Sequence, residues 1–160
     1  YSRERMHRLM KAALLLGALC LPASPAIADN FVYLECNHQM KLVSTEIKTG
    51  KLLNEEESKE EKVYLKIDPA GNRFMSHKDS QWDQARIAGG KLSAAITTGE
   101  GDALQVNGDM NIDFEPAGKM ISRTTAVAFE IISTVVDMTG DCVAVDESVF
   151  NTAKDGRKDG

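Results

Sequence analysis

The stretch MNIDFE, residues 110–115, alternates strictly between apolar and polar side chains. In an extended chain its three apolar side chains fall on one face and its three polar side chains on the other. That period of two is typical of an antiparallel strand with one face on a core and the other in water. The stretches FVYLEC (residues 31–36) and VYLKID (residues 63–68) show the same period. The sequence therefore predicts an all-β fold.

Turn residues separate these apolar runs. IDPAGNRF (residues 67–74) and FEPAGKMI (residues 114–121) share an acid-Pro-Ala-Gly core. In such a core proline presets the backbone of the turn, and glycine can adopt the positive φ that reverses the chain. Gly89-Gly90 in IAGGKL predicts a third hairpin, and KTGK (residues 48–51) predicts a further turn.

The runs and turns together predict ten strands and no long helix after residue 28. The expected strands are residues 31–36, 41–47, 63–68, 73–77, 83–87, 92–97, 103–115, 119–126, 129–136 and 142–145. We expect a bulge at Gly108 in the seventh strand. Short strands and turns favour an antiparallel meander rolled into a small barrel or half-barrel, because rolling removes exposed edges. Side chains fill a small barrel, and the candidates for this interior are Val32, Leu65, Ile67, Ile112 and Phe114.

The N-terminal stretch MHRLMKAALLLGALCLPASPAIADN, residues 6–30, has the order of a secretory signal peptide. Two cations precede the apolar run of residues 12–21, and a small-x-small triplet ends at Ala28. Because a membrane-spanning helix needs about twenty apolar residues, we interpret this stretch as a cleavable signal helix, not a permanent anchor. Cleavage is expected between Ala28 and Asp29, with export to the periplasm or beyond the cell.

Two further features of this end bear on processing. Residues 1–5 precede the first methionine, Met6, and are open to interpretation as an over-extended reading frame. Cys20 invites a lipoprotein interpretation, but the bulky Leu19 stands where lipoprotein processing uses a small residue. We therefore favour cleavage after Ala28.

Removal of residues 1–28 leaves 132 of the 160 residues, which suits one β domain at 29–147 followed by a polar tail at 148–160. The removed segment holds four of the 19 basic and one of the 24 acidic residues, so the remaining 15 cations and 23 anions give a net charge of −8. That balance argues against nucleic acid or an anionic membrane surface as a partner, because both require a positive footprint. It permits a cationic partner.

Three cysteines become two once Cys20 is removed with the signal peptide. An even count in an exported domain favours a disulfide between Cys36 and Cys142. Such a bond places the two Cα atoms within about 7 Å, so the first and last strands would have to meet. The alternative is a pair of buried free cysteines.

Residues with metal or catalytic chemistry are few. The exported chain has two histidines, His38 and His77, and His77 lies near Asp79 and Asp83 in SHKDSQWDQ. This spacing matches no ligand pattern, and such residues are common in solvated turns. There is no G-x-S-x-G arrangement and no glycine loop leading into a helix. We therefore expect no catalytic residue, no metal site, no cofactor and no enzyme activity.

Two other features of the sequence allow two interpretations each, and the end of the chain has one. The run NEEESKEEK, residues 54–62, is a solvated loop or frayed helical turn, or else a surface that captures a cation or basic peptide. Trp82 is a partly buried plug at a sheet end, or an exposed recognition anchor. The end of the chain, residues 151–160, is expected to be a disordered polar tail.

The motifs VYLEC (residues 32–36), YLKID (residues 64–68) and GDC (residues 140–142) resemble those of a loose set of small exported proteins of unknown function. These proteins are common in alphaproteobacteria. Their pattern is a signal peptide, an aromatic-x-Leu-x-Cys strand, a Tyr-x-Ile-Asp strand end and a late Gly-x-Cys, and YLKID is one residue longer than that pattern. The resemblance spans most of the exported domain and implies a β fold and a disulfide, but no activity.

FVYLECNHQMKLV, residues 31–43, is similar to the opening of the periplasmic inhibitors of C-type lysozyme. Members of that family are small antiparallel barrels with a disulfide. Their inhibitory serine-glycine loop has no recognisable counterpart here, since GGKLSAA (residues 89–95) does not supply it. The resemblance implies a barrel fold and makes lysozyme one concrete candidate partner.

Three functional hypotheses follow. The leading hypothesis is a non-catalytic exported β domain that binds a protein or envelope component, with a cationic envelope or host protein as the first partner to test. The alternative is a carrier of small apolar ligands with a lipocalin-like barrel, which requires an unfilled interior. The third is an envelope enzyme, which requires convergent polar groups in a cleft.

Overall fold

The computed structural model describes residues 29–98 and 103–156 of the chain. Antiparallel strands dominate, which confirms the predicted all-β class. The proposed signal helix and Ala28 lie outside the described residues, and Asp29 is the first described residue. The elements are β1 Val32–Glu46, β2 Leu52–Glu57, β3 Glu61–Asp68, β4 Arg73–Ser76, β5 Asp83–Gln84, β6 Arg86–Ala88, β7 Lys91–Thr98, β8 Leu104–Phe114, β9 Ala117–Ala128, β10 Ile132–Ala144 and α1 Glu147–Gly156.

The strands form one sheet in the order β5-β4-β3-β1-β10-β9-β8-β7-β6, with β2 paired to β1 outside this path. The first and last strands of that order, β5 and β6, are separated in the chain only by Ala85. One short segment therefore pairs with β4 at one end and with β7 at the other. The sheet is consequently a nearly closed barrel.

A disulfide joins the first and last strands in chain order, β1 and β10. Cys36 of β1 lies opposite Cys142 of β10 in the antiparallel register, with their Cα atoms 4.0 Å apart and an S–S bond of 2.04 Å. The predicted pairing is confirmed. The bond links residues 106 positions apart in the chain, at the place where the meander closes.

The barrel interior is filled by side chains from seven strands. Four of the five predicted interior residues are at most 4% exposed, and Val32 is partly buried against them. Alternation explains this, because the inward face of each strand carries every second residue. The buried cluster consists of Leu34, Cys36, Leu65, Ile67, Phe74, Leu92, Ala94, Met110, Ile112, Phe114, Met120 and Cys142.

The sheet continues beyond this core as an open half. β1 pairs with β3 as far as His38 and with β2 from Lys41 onward, and β6 pairs with β7 only as far as Ser93. Beyond those points the order is β2-β1-β10-β9-β8-β7, and neither edge has a further strand among the described residues. The protein is thus a barrel at one end and a curved open sheet at the other.

Two of the observed strands, β1 and β10, each cover two of the expected strands. Residues 31–36 and 41–47 belong largely to β1, and residues 129–136 and 142–145 belong largely to β10. The polar segment between the first pair continues β1 and does not break it, because His38 faces inward and is only 7% exposed. Gly140 lies opposite His38, and a Cβ there would come within 2.6 Å of the Asn37 carbonyl oxygen. Glycine therefore lets the two long strands approach closely.

The predicted bulge at Gly108 is wrong. The register of β8 and β9 is continuous at Gly108 and shifts between Ile112 and Phe114. Gly108 instead allows close approach, because a Cβ there would lie 2.5 Å from the Arg123 carbonyl oxygen. The turn at Gly89-Gly90 is confirmed, since both residues have the positive φ values, 59° and 73°, of a tight hairpin.

The acidic run is not the expected loop. Leu52–Glu57 forms β2, which pairs with the second half of β1, and every residue of β2 is exposed. Hydrogen bonding to β1 satisfies the backbone, so the strand needs no apolar face of its own. Glutamates on an edge strand also discourage pairing with other chains.

The expected polar tail contains a helix. α1 begins after Asp146, and it packs on the outer face of β1 and β3 through Phe150, which is 2% exposed. The Phe150 and Tyr33 ring centroids are 5.7 Å apart. Burial, together with a hydrogen bond to Glu147, raises the pKa of Tyr33 to about 12. No helix in the described parts of the chain is long and apolar enough to cross a membrane.

Candidate binding surface

Large apolar side chains are exposed at the far end of the open half. Of ten such exposed residues in the described chain, seven lie in or directly after the β1–β2 turn, in or directly after the β9–β10 turn, or at the start of β8. We call these seven the apolar tip: Ile47, Leu52, Leu53, Leu104, Phe129, Ile131 and Ile132.

Backbone hydrogen bonds bring these segments together. The Ile47 N–H donates to the Ile131 carbonyl oxygen at 2.8 Å, which joins the two turns. The Phe129 N–H donates to the Ala103 carbonyl oxygen at 2.9 Å, which joins the second turn to the start of β8. These two bonds hold the three segments together at one end of the sheet.

The β9–β10 turn has an unusual backbone for its sequence. Phe129 and Glu130 both have positive φ values, 50° and 57°, in the region that glycine and asparagine favour. A bulky residue there costs free energy, and Phe129 is 70% exposed, so burial does not offset that cost. Backbone strain that burial does not offset is concentrated at functional positions.

Negative charge lies beside the apolar tip. β2 carries Glu55, Glu56 and Glu57 along the exposed edge, and the Glu55 carboxylate pairs with Lys41 of β1 at 2.7 Å. Lys48 and Lys51 lie in the preceding turn. The acidic excess therefore begins within β2 and runs along the edge of the open half.

The inner face of the open half is formed by half-buried, mostly small side chains. Residues that share a face across the registers are Leu42, Ser44, Val106, Gly108, Thr124, Ala126, Thr134 and Val136. The charged residues of this face, within the described chain, are Glu46 and Glu56.

Three basic residues of the outer face are paired across strands. Salt bridges join Arg123 to Asp137 at 3.3 Å and Lys91 to Asp113 at 3.0 Å, and Lys119 pairs with Asp141. These cross-strand pairs offset the positive charge of Lys91, Lys119 and Arg123.

His77, Asp79 and Asp83 do not form a metal-binding group. The His77 Nδ1 accepts the Tyr64 N–H at 3.2 Å, and Asp79 accepts the Ser76 N–H at 3.0 Å. Asp83 lies in β5 instead, at the seam of the barrel. Across residues 29–98 and 103–156, no three His, Cys, Asp or Glu side chains are placed to hold a metal ion.

Trp82 is half-buried. Its ring lies 5.9 Å from that of Phe31, and the Arg73 guanidinium lies 4.4 Å from its centroid. The Lys66 Nζ lies 4.2 Å above Phe31 and 5.6 Å from Trp82. These contacts place Trp82 among side chains near the start of β1 and the start of β4.

Sequence reasoning missed the apolar tip. The sequence predicts one strand over residues 129–136, because the run FEII has the composition of a strand. The available signal was the length of the two apolar runs that flank Phe129 and Glu130, which leaves the three residues 129–131 for a hairpin turn.

No protein-family model, curated protein or solved structure matches this chain.

Proposed function

We propose that the protein is an exported, non-catalytic β domain that binds another protein through the apolar tip, with β2 supplying negative charge beside it. Its location is the periplasm or the medium outside the cell. The signal-like residues 6–28 and the Cys36–Cys142 disulfide support export, because disulfides persist in oxidising compartments.

The observation that carries this proposal is the exposure of the apolar tip. Large apolar side chains clustered on a protein surface mark interaction sites more often than scattered ones do. Phe129 is both the most exposed of them and strained. A fold selected only for stability gains nothing from a bulky side chain there.

The filled barrel favours surface binding over the carriage of a ligand. Leu34, Ile67, Leu92 and Ile112 are at most 1% exposed and occupy the barrel interior. A carrier of small apolar ligands needs that volume empty. Binding through the surface, without catalysis, needs no empty interior and uses only the exposed end of the sheet.

A cationic protein is the partner that fits the charges. Glu56 and Glu57 of β2 lie beside the tip and form no salt bridge with another described residue, whereas Lys91 and Arg123 of the outer face are already paired. Opposite charges accelerate association and disfavour wrong partners. The similarity of residues 31–43 to lysozyme inhibitors makes lysozyme the first candidate.

Titration calorimetry against lysozyme tests this candidate. We expect binding that weakens as salt rises, because exposed charges are screened over about 10 Å at 0.1 M salt. Phe129→Asn is expected to abolish binding and to leave the free energy of unfolding unchanged or raised by up to about 1 kcal/mol, since asparagine tolerates a positive φ.

The matched control is Ile121→Asn. Ile121 is 53% exposed on β9 but lies outside the apolar tip, so this variant should bind as the unaltered protein does. Absence of heat at both salt concentrations removes lysozyme as the partner. Equal loss of binding in both variants contradicts a role for the tip.

A further inference from the structure

The second edge of the open half is the outer side of β7. β7 pairs with β8 along its whole length, Lys91–Thr98, but its pairing with β6 ends at Ser93. Residues 94–98 therefore have no strand on that side among the described residues. Their outward backbone groups are available for pairing.

This edge is open because the segment before β7 pairs with β7 only over residues 86–88, and its earlier residues 83–84 pair with β4. Arg86–Ala88 pairs with β7, whereas Asp83 pairs with Phe74 of β4. The Ala85 N–H donates to the Asn72 carbonyl oxygen at 2.9 Å. This hydrogen bond holds Ala85 beside the β3–β4 turn and away from β7. A wedge-shaped gap results between β5 and the free part of β7.

An opening of about 370 Å³ lies in this gap. Phe74, Ala94, Ile96 and Met110 form its apolar walls, and Asp83 lies at its side. Phe74, Ala94 and Met110 belong to the buried core, so the opening leads toward the barrel interior. Asp83 forms no salt bridge with another described residue.

The two edges of the open half differ in how well they are protected from pairing with strands of other chains. β2 carries three successive glutamates, a device that keeps other strands away. Residues 94–98 read AAITT and contain no charge and no proline. The β7–β8 register shows no bulge that would turn this edge away. An uncharged, regular edge is a template for strand addition.

We infer that residues 94–98 of β7 accept an extended peptide segment of another protein as an added strand. Backbone hydrogen bonds to β7 hold the segment, one apolar side chain enters the opening beside Ala94 and Ile96, and one basic side chain pairs with Asp83. Strand addition of this kind takes affinity from the backbone and specificity from pockets for alternate side chains. The inference is independent of the apolar tip.

The test is a titration of isotope-labelled protein with three short peptides, followed by NMR and amide exchange. The first peptide alternates Thr with Leu and Val and carries one Lys. The second replaces that Lys by Glu, and the third replaces Leu and Val by Ser. We expect the first to shift and protect the amides of residues 94–98, the second to bind about tenfold more weakly, and the third not to bind.

Two variants locate the contacts. Asp83→Asn should remove the preference for Lys over Glu without disturbing the fold, because this side chain is exposed. Ile96→Lys should block the first peptide, since an inward-pointing charge protects an edge. Ser93→Lys is the matched control, because β6 already covers the edge at Ser93.

Three results would overturn the inference. One is that no peptide perturbs residues 94–98. A second is that the Lys preference survives in Asp83→Asn. The third is that the protein alone forms a dimer in light scattering with residues 94–98 protected, in which case the edge belongs to a second copy of this chain.

Discussion

At the scale of single residues, Asp68 shows how one side chain fixes a turn. Asp68 is 9% exposed, and its carboxylate accepts the Arg73 Nε–H at 2.7 Å and the Gly71 N–H at 3.0 Å. The hydrogen bond from Arg73 is the main cause that holds the pKa of Asp68 below its ordinary value, and the backbone N–H groups add to it. The carboxylate therefore closes the β3–β4 turn in its charged form.

We expect Asp68→Asn to lower the free energy of unfolding by about 1–2 kcal/mol at neutral pH, because it weakens a partly buried charge-assisted hydrogen bond. The folded pKa of Asp68 is depressed, so its contribution is present above the unfolded aspartate pKa, about 3.9, and is lost as pH falls through the lower folded value. Urea unfolding at neutral pH and in acid measures this. The difference between variant and unaltered protein should shrink in acid.

Asp141→Asn serves as the control for this prediction. Both side chains of the Lys119–Asp141 pair are more than half exposed, and such pairs contribute about 0–1 kcal/mol. A difference for Asp68→Asn that is constant with pH, or equal losses in the two variants, would contradict the role given to Asp68.

At the scale of elements, α1 depends on a single buried contact. Glu147 in its first turn and Lys154 in its last turn suit the helix dipole. A helix of ten residues is nevertheless marginal without packing. Phe150 supplies that packing against Tyr33.

Phe150→Ala should lower the free energy of unfolding by about 3 kcal/mol, the lower end for removing a buried phenylalanine, because the helix is peripheral. The amides of α1 should lose protection from hydrogen exchange while the strands keep theirs. Asn151→Ala changes the exposed neighbour and should alter stability by less than about 0.5 kcal/mol. Retained protection of α1 in Phe150→Ala would show that another contact holds the helix.

Local patterns explain which elements could be predicted from the sequence. Strict alternation at residues 110–115 and the Gly89-Gly90 pair are signals carried by adjacent residues, so the strand and the hairpin followed from them. β2 and α1 did not follow, because β2 exists through pairing with β1 and α1 through the contact of Phe150 with Tyr33. The candidate surface was missed for the same reason, since turns distant in the chain form the apolar tip.

At the scale of the whole molecule, closure of the barrel depends on the β1–β10 pairing. The register runs from Leu34 opposite Ala144 to Glu46 opposite Ile132, and the disulfide lies near one end of it. The long pairing continues into the open half and carries the apolar tip. The same two strands therefore close the barrel and project the proposed binding surface.

Replacement of both Cys36 and Cys142 by alanine should lower the free energy of unfolding by about 2–4 kcal/mol, because the bond restricts a long loop in the unfolded chain. The strand pairing should persist, since hydrogen bonds hold β1 and β10 along their length. Urea unfolding and amide exchange measure the two effects. Loss of β1–β10 protection under native conditions would show that the disulfide, not the sheet, closes the barrel.

The most direct test of binding through the apolar tip is site-specific photo-crosslinking in an envelope extract. A photoreactive phenylalanine analogue is placed at Phe129 and, in a matched protein, at Ile121, which is 53% exposed outside the tip. We predict a single protein adduct at Phe129, reduced by high salt, and none at Ile121. The absence of an adduct at Phe129, or the same adducts at both positions, would contradict the proposal that the tip is the binding surface.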